Sequence, residues 1–230
     1  MIGLFDSGRG GELLLASLKI RFPKESFLFF ADTNNFPYEK KSPQEIIALS
    51  LINGFSLQNR GCTALIIACN TASAYASKIL KEALSIPVIE MIEPTVKKAL
   101  QLTVQKKIGL LATTKTVTSN AYQELFHQLD PTISLQSIAC PGLAEHVELN
   151  QWNRSILSKY LEPLKEVDTL ILGCTHYSCL TQDLKRLLPS SVTLLDSNEA
   201  LIDSLSFSSN LIDDNPKKEK NSYEKKQLAI

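Results

Sequence analysis

Long apolar runs and an excess of charge of either sign are both absent from this sequence. No run approaches the roughly 18 consecutive apolar residues that a membrane-spanning helix needs. The 24 Lys and Arg residues equal the 24 Asp and Glu residues in number, so no overall field favours nucleic acid or an anionic membrane surface. We therefore expect no membrane and no nucleic-acid partner, and any basic groove has to be local.

Cysteines at paired spacings and a signal peptide are also lacking. The five cysteines do not form the pattern of a disulfide framework, which favours a reducing compartment. Residues 1–6, Met-Ile-Gly-Leu-Phe-Asp, lead directly into a strand pattern without leader features. These absences predict a cytoplasmic protein.

Short apolar runs alternate with amphipathic segments over most of the 230 residues. The apolar runs are continuous, as in parallel strands that are covered on both faces. They predict strands at 2–5, 27–31, 65–69, 88–92, 108–112, 134–139, 170–174 and 192–195. The segments between them predict helices at 12–21, 43–59, 73–84, 94–102, 119–129, 154–164, 179–188 and 197–205. Ser42, Pro43 and Glu45 predict a capped start for the second of these helices.

This alternation predicts an α/β fold built from βαβ units with right-handed crossovers. We predict two pseudo-symmetric domains, each a mostly parallel sheet flanked by helices, with the active site in the cleft between them. The first domain is predicted at residues 1–95 and the second at 96–205. Residues 206–230 are rich in Lys, Asp, Glu and Asn and predict a polar C-terminal tail, either solvated or returning to the first domain.

Two cysteines lie at matching positions in the two halves. Cys69 ends the apolar run 64–68 and Cys174 ends the run 169–173, and each is followed by polar residues and a helical segment. Because ligands bind at the carboxyl ends of strands in open α/β sheets, two such thiols can face each other across one cleft. We expect a helix N-terminus after each thiol to lower its pKa towards neutrality. This arrangement suits a reaction with a base on one face of a carbon and an acid on the other.

Polar residues near these thiols are candidate contacts for a charged substrate. Asn70, Thr71 and Thr175 can bind a carboxylate or an ammonium group, and His176 can exchange a proton with a neighbouring group. Asp6 follows the first strand, where a carboxylate can orient an amine or a thiol.

Three further residues have both a functional and a structural explanation. Thr113 and Thr116 follow the first strand of the second half and either reach the cleft or cap a helix. Glu148 is either a carboxylate near His176 or an exposed charge on a helix.

Other interpretations of the cysteines stay open on these residues alone. Each cysteine taken singly is also explained as a small buried apolar residue. Cys174, His176 and Cys179 have a spacing that zinc ligands use, but the sequence has no second cluster to complete the site. A cysteine hydrolase that uses Cys174 leaves Cys69 without a role.

A glycine-rich segment, Phe-Asp-Ser-Gly-Arg-Gly-Gly at residues 5–11, follows the first strand and opens a helix. It predicts either a plain glycine turn or an anion site at the helix N-terminus. A dinucleotide fingerprint fits poorly because Leu13 takes the position of the third glycine.

Taken together, the motifs resemble those of the cofactor-independent aspartate/glutamate racemase family, and within it the glutamate racemases. The specific pair is Cys-Asn-Thr-Ala-Ser at 69–73 and Gly-Cys-Thr-His at 173–176. Weaker matches are Asp-Ser-Gly at 6–8, Ala-Asp at 31–32, Pro-Tyr at 37–38, Lys-Ser-Pro at 41–43, Ile-Glu-Pro at 92–94, Thr-Val at 116–117 and Asp-Ser at 196–197. They occur in family order along the chain.

The resemblance implies interconversion of L- and D-glutamate, which supplies the D isomer for peptidoglycan synthesis. It implies that Cys69 and Cys174 are the two acid/base residues. Asp6 is implied to support Cys69, and His176 with Glu148 to support Cys174. The residues implied to hold the amino acid are Asp6, Ser7, Tyr38, Asn70, Thr71, Thr113, Thr175 and His176. We expect no cofactor and no metal, a small amino acid as the partner, and a homodimer as in many family members.

The sequence also departs from the family pattern. Glu39, a further candidate substrate contact, stands where the family has glycine, and its side chain is expected to crowd or repel a dicarboxylate. Arg9, Glu90 and Ala112 also replace usual family residues. The family chain continues with a strand and a helix that return to the first domain, so a less complete first domain is expected here. Two alternatives therefore stay open: a racemase of aspartate or another amino acid, and a racemase-like binding or regulatory protein with weak turnover.

Overall fold

Two parallel four-stranded sheets form the framework, one in each half of the chain. The computed structural model describes residues 1–164 and 166–205, so the tail predicted at 206–230 lies outside the described residues. The first sheet consists of β1 (Ile2–Asp6), β2 (Phe27–Ala31), β3 (Ala64–Ile67) and β4 (Val88–Ile89). The second consists of β5 (Lys107–Ala112), β6 (Ser134–Ala139), β7 (Thr169–Gly173) and β8 (Thr193–Asp196).

The two sheets share one strand order, β2-β1-β3-β4 in the first and β6-β5-β7-β8 in the second. All neighbouring strands run parallel, and the register places Ile2 of β1 opposite Phe27 of β2 and Ala64 of β3. Both β1 and β7 are buried along their whole length, as expected for strands that helices cover on both faces. The predicted α/β fold with two similar halves is confirmed.

Helices connect the strands and cover both sheets. They are α1 (Gly11–Arg21), α2 (Pro43–Asn59), α3 (Asn70–Ala83), α4 (Ile92–Leu102), α5 (Thr114–Thr118), α6 (Ala121–Leu129), α7 (Leu143–Glu148), α8 (Arg154–Leu161), α9 (Thr181–Leu187) and α10 (Ser197–Ser204). Short 3₁₀ helices lie at Thr33–Asn35, Tyr38–Lys40 and Thr175–Leu180. None of the helices in the described part of the chain combines the length and the apolar character needed to cross a bilayer.

The last described helix, α10, packs against the cores of both halves. Leu201 lies in the first core with Leu4 of β1 and Ile66 of β3. Ala200 lies in the second core with Val96 of α4. Burial of these side chains removes apolar surface from water in both halves at once, so α10 ties them together. The predicted boundary between residues 95 and 96 falls inside α4.

Helix starts account for the main differences from the predicted elements. The predicted strand 88–92 is wrong beyond Ile89, because the Glu90 carboxylate accepts hydrogen bonds from the Ile92 and Glu93 N–H groups at 2.6 and 2.8 Å and so starts α4. Helix α3 begins at Asn70 rather than Ser73. The short helices α5 and α7 were not predicted, because five and six residues are too few to show a helical period.

Candidate active site

The carboxyl ends of four parallel strands bring residues of both halves to one pocket. Asp6 ends β1, Cys69 lies just after β3, Thr113 follows β5 and Cys174 follows β7. The pocket is lined by Ser7, Phe36, Pro37, Tyr38, Glu39, Cys69, Asn70, Thr71, Thr113, Ala144, Cys174, Thr175 and His176. Of the predicted site residues, Asp6 and Glu148 do not line the pocket but contact side chains that do.

Cys69 is the N-cap of α3. Its Sγ accepts the Ala72 N–H at 3.4 Å, and its thiol donates to the Ser7 hydroxyl at 3.3 Å. Burial raises the pKa of the Cys69 thiol to about 12, and the nearby Asp6 carboxylate adds to the rise. The expectation that a helix N-terminus lowers this pKa is wrong for the substrate-free protein, because loss of hydration outweighs the helix.

Cys174 lies at the start of the 3₁₀ helix Thr175–Leu180. Its Sγ is 3.8 Å from Nδ1 of His176. Burial raises the pKa of the Cys174 thiol, again against the expectation from sequence, while the hydrogen bond and the charge of His176 oppose the rise. The two thiols therefore differ in their neighbours: an imidazole beside Cys174 and a carboxylate beside Cys69.

His176 and Glu148 form a partly buried ion pair. The His176 Nε2 lies 2.5 Å from a Glu148 carboxylate oxygen. Burial by itself lowers the pKa of His176, but hydrogen bonds to Cys174 and Glu148 together with nearby negative charge raise it to about 10. The same hydrogen bond lowers the pKa of Glu148. At neutral pH the imidazole is therefore protonated and the carboxylate is ionised.

Asp6 links the first half to the second. Its Oδ2 accepts the Thr175 hydroxyl at 2.8 Å, and its Oδ1 accepts the Ser7 N–H at 2.7 Å. Burial raises the pKa of Asp6, although the positive charge of His176 and these hydrogen bonds oppose the rise. Asp6 thus lies next to the pocket without lining it, and its two carboxylate oxygens orient Ser7 of the first half and Thr175 of the second half.

Hydroxyl and amide groups continue this contact between the halves. The Thr71 hydroxyl is 2.9 Å from the Thr113 hydroxyl and 3.1 Å from that of Thr116. The Tyr122 hydroxyl donates to the Asn70 side chain at 2.7 Å. Sequence reasoning missed Tyr122 as a site residue, because only the packing of α6 against α3 reveals the contact.

Tyr38 forms part of the pocket wall with its hydroxyl turned away from the pocket residues. That hydroxyl donates to Asp32 at 2.7 Å and accepts from the Asn53 side chain at 3.1 Å. Burial and the hydrogen bond to Asp32 raise the pKa of Tyr38 well above its ordinary value. Tyr38 is therefore a neutral and firmly held phenol.

Glu39 reaches across the cleft rather than into open space. One carboxylate oxygen accepts the Gly142 N–H at 2.8 Å, and the other accepts the Thr114 N–H at 3.4 Å. Both N–H groups belong to the starts of helices in the second half, where backbone donors have no partner within the helix. Backbone N–H groups of the protein thus bind both oxygens of the Glu39 carboxylate.

The glycine-rich segment serves close approach between the halves. A Cβ on Gly10 would lie 2.4 Å from the Thr175 hydroxyl oxygen and 2.7 Å from Nδ1 of His176. A Cβ on Gly8 would lie 2.6 Å from the ring of Phe36, which stacks against His176 with centroids 5.4 Å apart. Side chains at these glycines would push Thr175 and His176 out of place.

The alternative interpretation of Cys174, His176 and Cys179 as zinc ligands is not supported by their positions. Cys174 and His176 are buried at the pocket, whereas Cys179 is exposed. Among the described residues there is no group of three or more His, Cys, Asp or Glu side chains that could hold a metal ion.

The geometry suits proton transfer at a carbon held between two thiols. Cys69 and Cys174 line one pocket from different halves, and each has an ionisable neighbour that can tune its proton affinity. A general acid or base acts only within hydrogen-bond reach of the proton that it transfers. Both thiols therefore border the space that a small molecule would enter.

Comparisons with known proteins agree with this geometry. Residues 21–205 match the family model described as Asp/Glu/Hydantoin racemase. The chain is similar to the glutamate racemase of Corynebacterium diphtheriae, with 41% identity over 86% of this chain and 77% of that protein. It is also similar to the glutamate racemase of Aquifex pyrophilus, with 40% identity over 93% of this chain and 84% of that protein.

Solved structures give the same result. A glutamate racemase isoform from Bacillus anthracis superposes with a TM-score of 0.87 at 36% identity, covering 94% of this chain and 84% of that one. The glutamate racemase of Francisella tularensis in complex with D-glutamate gives a TM-score of 0.84 at 32% identity, covering 93% and 83% of the two chains.

Proposed function

Because this chain belongs to the Asp/Glu/hydantoin racemase family, we propose that it interconverts L-glutamate and D-glutamate in the cytoplasm. The observation that carries the proposal is the pocket that Cys69 and Cys174 line from opposite halves. The D-glutamate that is formed would supply peptidoglycan synthesis.

One thiolate takes the proton from Cα of the bound amino acid. The C–H bond breaks, an S–H bond forms, and the electron pair is delocalised into the substrate carboxylate. The opposite thiol then gives its proton to the other face of Cα, so its S–H bond breaks and a new C–H bond forms. The product has inverted configuration, and the two sulfurs have exchanged protonation states.

The residues next to the two thiols support these different roles, one sulfur acting as the thiolate and the other as the thiol. The protonated His176 favours a thiolate at Cys174, whereas Asp6 favours a neutral thiol at Cys69. A thiolate at Cys174 removes the proton in one direction and a thiol at Cys69 delivers it. The reverse reaction needs a thiol at Cys174 and a thiolate at Cys69. The forward reaction leaves the two sulfurs in these protonation states.

An α-proton next to a carboxylate is far less acidic than a thiol, so the site has to stabilise the negative charge that develops. Fixed hydrogen-bond donors and positive charges in a pocket that excludes water are worth more than they are in solution. The residues that we propose hold the amino acid are Ser7, Tyr38, Asn70, Thr71, Thr113, Thr175 and His176, with Glu39 bordering the same pocket.

The proposal is tested by following the optical activity of L-glutamate in the presence of the protein. We expect the signal to decay to zero as an equal mixture forms, and to persist with Cys69→Ala or Cys174→Ala. Cys62→Ala is the matched control, because Cys62 is a buried cysteine that does not line the pocket, and it should retain activity. Decay with L-aspartate instead would assign a different amino acid, and decay with neither would indicate a binding or regulatory protein.

A further inference from the structure

Helix α7 of the second half contacts the first half at two places: the turn Tyr38–Lys40, and the Arg9 N–H, which donates to Glu148 at 3.4 Å. Glu39 accepts the N–H of Gly142, the residue that precedes α7, at 2.8 Å. Lys40 forms an ion pair with Glu145 in the middle of α7 at 2.7 Å. Both residues belong to the 3₁₀ helix Tyr38–Lys40. The turn therefore contacts the start of α7 through Glu39 and its middle through Lys40.

Helix α7 in turn carries groups that the proposed reaction uses. Glu148 at its end pairs with His176, and Ala144 lines the pocket. Leu143 and Val147 pack α7 into the core of its own half beside Tyr177. A shift of α7 against that packing would withdraw Glu148 from His176, and the imidazole beside Cys174 would lose its partner. The orientation of His176 is thus coupled to the contacts that hold α7.

The pocket has to open for a substrate to enter. Its cavity volume is about 20 Å³, close to the space that one water molecule needs. An amino acid of glutamate's size therefore enters only when the pocket widens, and the pocket is lined by Tyr38 and Glu39 from the first half and by Ala144 of α7 from the second. Closing the pocket again re-forms the contacts of Glu39.

We propose that Glu39 is a positioning residue that holds α7 against the first half and so keeps Glu148 on His176 in the closed pocket. The inference rests on the proposed racemase function for its kinetic consequence, but not for its structural one. Glu39 acts through α7 and touches no reacting atom.

Glu39, rather than Lys40, is the main contributor for two physical reasons. Its carboxylate accepts two backbone N–H groups at helix starts, and such charge-assisted hydrogen bonds are about twice as strong as neutral ones. The Lys40–Glu145 pair is solvent-exposed, with 64% of the Lys40 side chain accessible, and exposed ion pairs contribute little.

The test measures hydrogen–deuterium exchange by mass spectrometry in the substrate-free protein together with steady-state kinetics. In Glu39→Ala, we expect exchange in residues 143–148 to become about tenfold faster, because a lost charged hydrogen bond shifts the opening equilibrium by about that factor. For the same reason kcat/KM should fall about tenfold, with a loss in kcat. Glu39→Gln keeps one acceptor oxygen for Gly142 and should restore part of both. Lys40→Met is the matched control and should leave both near the wild-type values.

Two results would overturn the inference. One is exchange in α7 that is unchanged in Glu39→Ala. The other is a rise in KM alone, equal in Glu39→Ala and Glu39→Gln, which would mean that Glu39 contacts the substrate directly. Absence of glutamate turnover in the wild-type protein would overturn the proposed function instead, and the exchange measurement would still decide the role of Glu39.

Discussion

The protonation of individual side chains decides what this site can do. His176 is held between Cys174 and Glu148 and has a pKa raised to about 10, so it carries a positive charge through the physiological range. That charge favours a thiolate at Cys174. Asp6 has the opposite effect on Cys69. The two thiols therefore differ in the charge beside them, which is the asymmetry that the proposed proton transfer uses.

The pKa shifts of the His176–Glu148 pair also define a pH window for stability. A histidine whose pKa is raised above its ordinary value of 6.5 contributes stability that is complete below that value and is lost as pH rises through about 10. A glutamate whose pKa is lowered from 4.5 contributes stability that is present above that value and is lost as pH falls. The pair therefore stabilises the fold most between these two ordinary values.

Replacing Glu148 should release the proton of His176 at lower pH. We expect the NMR titration of the His176 ring to show a midpoint well above 7 in the wild-type protein and a midpoint lower by at least about one unit in Glu148→Gln, since a hydrogen-bonded charge is lost. An unchanged His176 midpoint would show that Glu148 does not set its charge.

At the scale of elements, the loop between β1 and α1 is shaped by contact with the second half. Gly10 has a φ of −54°, which any residue adopts, so backbone freedom does not explain the glycine there. The lack of space explains the glycine, because the Thr175 hydroxyl would lie 2.4 Å from an added Cβ. The loop is therefore a contact surface for the 3₁₀ helix Thr175–Leu180.

Gly10→Ala should impair catalysis more than folding. We expect kcat/KM to fall about a hundredfold, because a displacement of about 1 Å in a catalytic group costs that much, while the urea midpoint changes little. Gly61→Ala is the contrasting variant: its φ of +85° is strained for alanine, with nothing within 4 Å of the added Cβ. It should lose about 1 kcal/mol of stability and keep its kinetics. Wild-type kinetics for Gly10→Ala would contradict the close approach of Gly10 to Thr175 and His176.

Patterns of several neighbouring residues predicted the helices and strands well. Contacts between residues that are distant in sequence could not be predicted in this way. The capping box at Ser42 and Glu45 is confirmed, because both of its hydrogen bonds are local in sequence. Apolar runs likewise predicted the strand centres. The start of α4 was missed because a capping glutamate, Glu90, resembles any surface charge. The contact of Glu39 with Gly142 spans 103 residues, and no pattern within one segment reveals it.

At the scale of the whole molecule, the proposed reaction requires the pocket between the two halves to widen for its substrate, because the cavity volume is about 20 Å³. Cys69 and Cys174 are 5% and 7% exposed, so reagents reach them only in the open state. Cys179, by contrast, is exposed. Of the five free cysteines, Cys69 and Cys174 therefore report on opening of the pocket.

Maleimide labelling followed by peptide mass spectrometry should rank the cysteines by how easily a reagent reaches them. We expect Cys179 to react at least about tenfold faster than Cys69 or Cys174, since access and thiolate fraction both limit the rate. D-glutamate should slow labelling of Cys69 and Cys174 and leave Cys62, which does not line the pocket, unaffected. Equal rates for Cys69 and Cys179 would contradict a pocket that is closed most of the time.

The relay of a proton between two sulfurs is tested most directly by the fate of solvent deuterium. L-glutamate is incubated with the protein in deuterium oxide, and both enantiomers are separated at low conversion and analysed by mass spectrometry. If one thiol takes the proton and the other delivers a different one, the D-glutamate carries deuterium at Cα while the remaining L-glutamate keeps protium. D-glutamate that retains the original proton, or deuterium that accumulates equally in the remaining L-glutamate, would contradict the account.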